Sequence, residues 1–95
     1  MERWRRQKEV FLLLNGNWFS VRDLSDYLDI TINHADFLLR HYHKNHHLER
    51  KKIDGKYHYT LTDYGLKYLK DFLESGKYVE YREWYEQKYV RININ

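Results

Sequence analysis

The chain has 95 residues, of which 42% are hydrophobic and 33% charged, with a formal net charge of +3, which is typical of one small globular domain spanning residues 1–95. It contains no cysteine, which excludes a disulfide framework, a thiolate metal site and therefore a zinc finger. No apolar run approaches the roughly 20 residues that span a bilayer, and residues 1–6 lack a signal-peptide apolar segment, so we expect a cytoplasmic protein with no membrane contact.

The first segment has the apolar spacing of an α-helix over residues 3–14. Asn15 and Gly16 follow it, a pair that commonly ends helices. The apolar residues of this helix are Trp4, Val10, Phe11, Leu13 and Leu14. Trp18 and Phe19 then predict a very short strand.

Two further helices joined by a tight turn are predicted next. Ser20 and Asp23 have the spacing of a capping box for the second helix, Asp29 and Ile30 form the turn, and Thr31 caps the third helix. The face of the third helix predicted to be buried consists of Ala35, Leu38, Leu39 and Tyr42. Its other residues point elsewhere: Asn33, His34, Asp36, Phe37, Arg40, His41 and Lys44.

After the third helix the pattern alternates with a period of two, which is typical of strands. Asp54 and Gly55 lie between two such runs and predict a hairpin, because both central residues of a type I′ turn need positive φ. Thr62 starts a fourth helix that Gly76 ends. The inward residues of that helix are Leu66, Leu69, Phe72 and Leu73. A last helix is predicted over about residues 78–90.

The excess positive charge is confined to one part of the chain. Residues 40–58 carry six Lys and Arg against two Asp and Glu, whereas residues 1–39 carry five against six and residues 59–95 carry six against six. The basic segment coincides with the end of the third helix and the predicted hairpin, where a phosphate backbone would lie. The alternative is an ordinary solvated basic face.

This order of elements is that of a winged helix-turn-helix, a mainly α fold with a small β-hairpin wing (α+β), here with an extra C-terminal helix. Residues 18–75 resemble the winged-helix regulators of the MarR and PadR type. The resemblance is carried by residues 24–31 as the helix-turn-helix, by residues 48–57 as the wing, and by Leu61-Thr62-Asp63-Tyr64-Gly65 as the LTxxG start of the next helix. The chain departs from the pattern at Asp29, where glycine is usual, and at His46 and His47, where a glycine commonly ends the recognition helix. Its small size and its richness in Tyr, Lys and Ile are also similar to winged-helix proteins of archaeal plasmids and viruses.

The resemblance implies that the third helix lies in the major groove of DNA and that the hairpin meets phosphates or the minor groove. The predicted recognition-helix contacts are Thr31, Asn33, His34, Phe37, Arg40, His41 and Lys44. The predicted wing contacts are Arg50, Lys51, Lys52, Lys56 and His58, and Ser20 and Arg22 are predicted to contact the DNA backbone. Asn33 suits adenine, Arg40 guanine and Phe37 a thymine methyl group. The alternative is that Phe37 belongs to the core and Arg40 is merely solvated, which a one-position slip in helix phase would produce.

Four histidines lie close together in sequence, namely His41, His43, His46 and His47. His43 and His47 have the i, i+4 spacing of a helical metal-ligand pair, but no cysteine or suitably spaced carboxylate completes the set. We therefore predict no metal and no cofactor, and expect polar histidines that become cationic near about pH 6 and strengthen phosphate binding. Nothing resembles a nucleophile with its base or a Gly-rich phosphate loop, so we predict no catalytic residue and no enzyme.

The last helix carries an aromatic stripe that the first four helices leave without cover. Related regulators dimerise through terminal helices, so the resemblance implies that the first helix joins the interface. The predicted dimerisation residues are Trp4, Phe11, Leu14, Tyr78, Tyr81, Trp84, Tyr85 and Tyr89. The alternative is that the last helix folds back on its own domain.

The sequence therefore predicts a homodimer that binds double-stranded DNA, with transcriptional regulation as the leading role. A DNA-organising or plasmid-segregation protein that spreads along DNA is a second possibility, because such a protein and a regulator would bind the DNA groove and form dimers through the same kinds of contact. A third possibility is a winged helix that binds only another protein, for example through its C-terminal helix.

Overall fold

The computed structural model describes residues 3–74, which form four helices and a three-stranded antiparallel sheet. The helices are α1 (Arg3–Leu14), α2 (Val21–Leu28), α3 (Ile32–Lys44) and α4 (Asp63–Leu73), and the strands are β1 (Phe19–Ser20), β2 (Leu48–Ile53) and β3 (Lys56–Leu61). The predicted α+β class, helices with a small hairpin, is confirmed. The predicted last helix, about residues 78–90, lies outside the described residues.

The predicted helix caps are confirmed. The Ser20 hydroxyl accepts a hydrogen bond from the Asp23 backbone N–H, and the Asp23 carboxylate accepts one from the Ser20 N–H, which completes the capping box of α2. Thr31 and Thr62 cap α3 and α4 by accepting from the backbone N–H three residues further on. Each cap satisfies a donor that the helix itself leaves unpaired.

Left-handed backbone occurs at the predicted turns and also at the end of α3. Asp54 and Gly55 have φ of 52° and 81°, as a type I′ hairpin turn requires. Asp29 ends α2 with φ of 54°, and a short polar side chain tolerates this region better than most. His46 follows α3 with φ of 66°. Asp29 and His46 therefore adopt, without glycine, a backbone conformation that glycine adopts most easily.

The sheet has the strand order β1-β3-β2, with both neighbouring pairs antiparallel. The two-residue turn fixes the register of the hairpin, which pairs Arg50 with Tyr59 and Lys52 with Tyr57. The short strand predicted at Trp18 and Phe19 is shifted by one residue to Phe19–Ser20, where Phe19 pairs with Tyr59.

The core is built from all the helices and the inner face of the sheet. Its buried apolar residues are Val10, Phe11, Leu13, Leu14, Leu24, Leu28, Ala35, Leu38, Leu39, Tyr42, Leu48, Tyr59 and Leu69. The prediction that Phe11 and Leu14 contact a dimer partner is wrong, because both have 0% exposure. The Phe11 ring packs edge-on against Tyr42 at 5.3 Å, and the Leu14 carbonyl accepts a hydrogen bond from Thr60 Oγ1 at 2.9 Å.

The fourth helix ends at Leu73, three residues before the predicted Gly76, which lies outside the described residues. Its inner face is as predicted where it is described: Leu69 is buried, and Leu66 and Phe72 are half-buried. None of the helices within residues 3–74 is long and apolar enough to cross a membrane.

Candidate nucleic-acid interface

The third helix presents an exposed face formed by the predicted recognition residues. Thr31, Asn33, His34, Phe37, Arg40, His41 and Lys44 are all exposed. Its opposite face is buried and consists of the four predicted residues, Ala35, Leu38, Leu39 and Tyr42. Phe37 is 64% exposed, which excludes its assignment to the core. The helix phase deduced from the sequence is therefore confirmed.

Neighbouring side chains order this face. The Phe37 and His41 rings stack with centroids 5.9 Å apart and planes at 10°. Arg40 Nη1 lies 3.3 Å from Asp36 Oδ2, one helical turn away. An exposed ion pair of this kind contributes about 0–1 kcal/mol, so another anion can replace Asp36 as the partner of Arg40 at little cost.

An open groove of about 490 Å³ lies between α3 and β2. It is lined by Asp36, Phe37, Arg40, His41, His43 and Lys44 from α3 and by Arg50 from β2. Asp36 is the only carboxylate among these residues, and it is already paired with Arg40. Two separate elements therefore contribute cations to one concave surface that attracts anions.

Arg50 is held in this groove by two tyrosines of β3. Its guanidinium carbon lies 4.2 Å from the centre of the Tyr57 ring. A side-chain hydrogen bond with the buried Tyr59 raises the pKa of Arg50. A guanidinium that is already positioned loses less conformational entropy when it binds an anion.

The predicted wing residues are divided between the two faces of the hairpin, because successive strand residues alternate. Lys52 shares the Tyr57 face with Arg50, its Nζ 5.3 Å from the ring centre. Lys51 lies on the other face, with Nζ 4.2 Å from the Trp18 ring centre. The remaining two wing residues, Lys56 and His58, are on the Lys51 face, where His58 Nδ1 contacts the Lys56 carbonyl at 3.1 Å.

The predicted phosphate contact at Ser20 is not supported. Ser20 is 8% exposed, and both its hydroxyl and its N–H are engaged with Asp23. It therefore acts as a helix cap. Arg22, by contrast, is exposed in the first turn of α2.

Sequence reasoning missed His43 and the tyrosine support of Arg50. The sequence predicts His43 to be a polar histidine that becomes cationic near about pH 6, but does not place it among the recognition residues; it lines the groove, with its ring 6.0 Å from that of Tyr59. Burial lowers the pKa of His43, and the nearby Arg50 and His46 lower it further. The tyrosine contacts of Arg50 can be predicted from the Asp54-Gly55 turn, because this turn sets the register that places Tyr57 and Tyr59 across from the basic strand.

Within residues 3–74, no three His, Cys, Asp or Glu side chains are grouped so that they could hold a metal ion. Comparison with protein families, with curated proteins and with solved structures finds no match to this chain.

Proposed function

We propose that this chain is a winged-helix protein that binds specific sites on double-stranded DNA as a homodimer and acts as a transcriptional regulator. In this proposal α3 is the recognition helix and the β2–β3 hairpin is the wing. The observation that carries it is the groove in which Arg50 of the hairpin joins Arg40 and Lys44 of α3. The same region, residues 40–58, holds the excess positive charge of the chain.

The side chains of α3 suit the edges of bases. Arg40 can form a bidentate pair with guanine, Asn33 can pair with adenine, and the exposed Phe37 ring can pack against a thymine methyl group. Arg50 and Lys52, on the hairpin face nearest α3, suit phosphates, which fix the position of the protein without specifying sequence.

The dimer is proposed to form through the aromatic residues of the C-terminal segment. These residues, Tyr78, Tyr81, Trp84, Tyr85 and Tyr89, lie outside the described residues, as does the side chain of Trp4. Sedimentation at micromolar concentration tests the dimer directly. The chain has a mass of 12.0 kDa, and we expect a species with twice that mass. A 12.0 kDa species would overturn it.

The first experiment is enrichment of random duplexes on the full chain at about 150 mM salt, where non-specific affinity is weak, followed by a footprint of the selected site. We expect an inverted repeat with half-sites about 34 Å apart. A long continuous footprint would instead indicate a protein that spreads along DNA. If no duplex is enriched, the DNA proposal fails and a protein partner becomes the better explanation.

Three variants then test the assigned surface. Arg40→Ala should reduce the free energy of binding to the selected DNA site by about 1–3 kcal/mol and should relax the sequence preference at one base pair. Arg50→Ala should weaken binding to all DNA sequences. It should also reduce, by about one, the magnitude of the slope of log binding constant against log salt concentration. Lys67→Ala removes an exposed cation from α4, outside the groove, and should bind like the parent chain. If Arg40→Ala and Arg50→Ala also bind like the parent, the assigned surface is wrong.

A further inference from the structure

A second pocket, open to solvent and about 430 Å³ in volume, lies beside α2. It is lined by Trp18, Phe19, Asp23, Asp26 and Tyr27. None of these residues lines the groove between α3 and β2, so the two sites are separate. The pocket therefore combines three aromatic rings with two carboxylates.

The aromatic walls can receive a positive charge. The Phe19 and Tyr27 rings contact each other, with centroids 6.0 Å apart and planes inclined at 54°, and together they form one aromatic wall on which a ligand can lie. The third ring, Trp18, already interacts with a cation, since Lys51 Nζ lies 4.2 Å from its centre. The face of an aromatic ring carries partial negative charge and attracts a cation within about 6 Å.

The carboxylates give the pocket a negative charge. Asp23 uses one oxygen to accept the Ser20 N–H at 2.9 Å. Asp26 is exposed and has no hydrogen bond or ion pair within the described part of the chain. An exposed carboxylate beside an aromatic wall favours a ligand that offers both a positive charge and an apolar surface.

We propose that this pocket binds a small organic cation with an alkylammonium head group. A quaternary ammonium fits best, because its methyl groups contact the rings while its diffuse charge faces Asp26 and loses little hydration. Two or three cation–π contacts at an open site correspond to a dissociation constant on the order of tens of millimolar. The site is independent of the groove, so this proposal stands or falls separately from DNA binding.

Choline is the probe, and its neutral carbon isostere 3,3-dimethylbutan-1-ol is the matched control. Each is titrated into the full chain while amide and indole chemical shifts are followed by NMR. We expect saturable shifts at Trp18, Phe19, Asp26 and Tyr27 with choline and none with the alcohol. Equal shifts with both compounds would show a merely apolar patch, and no shifts with choline would show no site; either result overturns the proposal.

A pair of charge-neutralising variants tests the position of the ligand. Asp26→Asn should weaken choline binding about fivefold. Asp29→Asn removes the same charge from the end of the same helix, outside the pocket, and asparagine tolerates its left-handed φ, so binding should be unchanged. Equal weakening in both variants would indicate diffuse attraction without a site and would overturn the proposal. Tyr27→Leu keeps apolar surface but removes an aromatic ring, so it should weaken choline binding. Parent-like binding by this variant would overturn the proposal. Circular dichroism verifies that each variant is folded.

Discussion

His46 has the left-handed backbone that ends α3. The His47 N–H donates to the Tyr42 carbonyl at 3.0 Å, and the His46 N–H donates to the His43 carbonyl at 3.0 Å. These two bonds form a Schellman motif, in which the left-handed position is His46, with φ of 66°. An L-residue in this conformation costs about 1–2 kcal/mol, which glycine avoids.

We therefore expect His46→Gly to raise the free energy of unfolding by about 1 kcal/mol, as measured by urea denaturation at neutral pH. Asn45→Gly is the control, because Asn45 has a φ of −87° and gains nothing from glycine. That variant should lose stability, since glycine adds entropy to the unfolded chain. A His46→Gly protein no more stable than its parent would show that the turn is not strained.

Lys8 is a second residue that lowers the stability of the fold, because its charged ammonium group is buried. It is 2% exposed, and burial lowers the pKa of its ammonium group to about 8. The ammonium lies 4.0 Å from the centre of the Tyr68 ring and 5.0 Å from that of Phe72, and this cation–π attraction offsets part of the burial cost. The unfolded chain, with a pKa of 10.5, binds more protons than the folded chain between about pH 8 and 10.5. Stability should consequently rise with pH through that window, and the full cost should be present at pH 7.

Lys8→Met keeps the apolar stem without the charge. We expect it to raise the free energy of unfolding at pH 7 by about 1 kcal/mol and to abolish the rise above pH 8. Lys67→Met, at an exposed position of α4, should change neither quantity. Urea denaturation at pH 7 and pH 9.5 distinguishes the cases, and an unchanged pH profile in Lys8→Met would contradict the assignment.

At the scale of elements, the start of α4 is fastened to the turn that follows α3. The Thr62 N–H donates to the His47 carbonyl at 3.0 Å, and the Thr62 hydroxyl is placed to donate to the His46 carbonyl at 2.8 Å or to the His47 carbonyl at 3.0 Å. A Cβ on Gly65 would overlap the His47 carbonyl and would lie 2.6 Å from Leu61 Cδ1. The threonine and glycine of the LTxxG segment thus have distinct physical roles: one caps the helix and the other permits close approach.

Gly65→Ala should lower the free energy of unfolding by about 2 kcal/mol, because a backbone carbonyl cannot move away as a side chain can. This steric cost exceeds the roughly 1 kcal/mol by which alanine is the better helix former. Lys67→Ala places alanine in the same helix at an exposed position and should leave stability nearly unchanged. Thermal unfolding of the three proteins is the measurement, and a Gly65→Ala variant as stable as the parent would refute the close contact.

The elements also show which features the sequence could predict. The bounds of α1, the three caps, the hairpin turn and the buried face of α3 follow from local signals, namely periodicity, capping residues and Asp54-Gly55. The division of wing cations between two faces, the groove between α3 and β2 and the burial of Lys8 depend on how distant elements pack. Phe11 and Leu14 illustrate the limit of sequence-based prediction. Periodicity shows that one side of α1 is apolar, but it does not distinguish a side that packs into the core from one that forms a dimer interface.

At the scale of the whole molecule, the His47 ring connects elements that are distant in sequence. It stacks on Tyr64 of α4 with centroids 5.1 Å apart and planes at 5°, and it contacts Phe11 of α1 at 5.1 Å. His47 is 7% exposed, and within the described residues neither ring nitrogen has a hydrogen-bond partner. Burial lowers the pKa of His47, and electrostatic interactions with Lys8, His41 and His46 lower it further.

Because the folded state disfavours the protonated ring, the unfolded chain binds more protons below the ordinary histidine pKa of 6.5. Stability should therefore be highest above pH 6.5 and should fall between pH 7.5 and pH 5.5, with His47 contributing at most about 1.4 kcal/mol, the free energy of one pH unit. His43, whose pKa is also lowered, contributes in the same direction. His47→Phe retains a ring against Tyr64 but cannot be protonated, so it should reduce this loss.

His34→Ala, at an exposed position in the first turn of α3, should keep the full acid sensitivity of the parent. Urea denaturation of the three proteins at pH 7.5, 6.5 and 5.5 is the measurement. Equal losses in the parent and in His47→Phe would place the acid-sensitive group elsewhere. A smaller loss in His47→Phe alone would identify an uncharged histidine as a condition for the packing of α1, α4 and the end of α3, and hence for the orientation of the helix proposed to contact DNA.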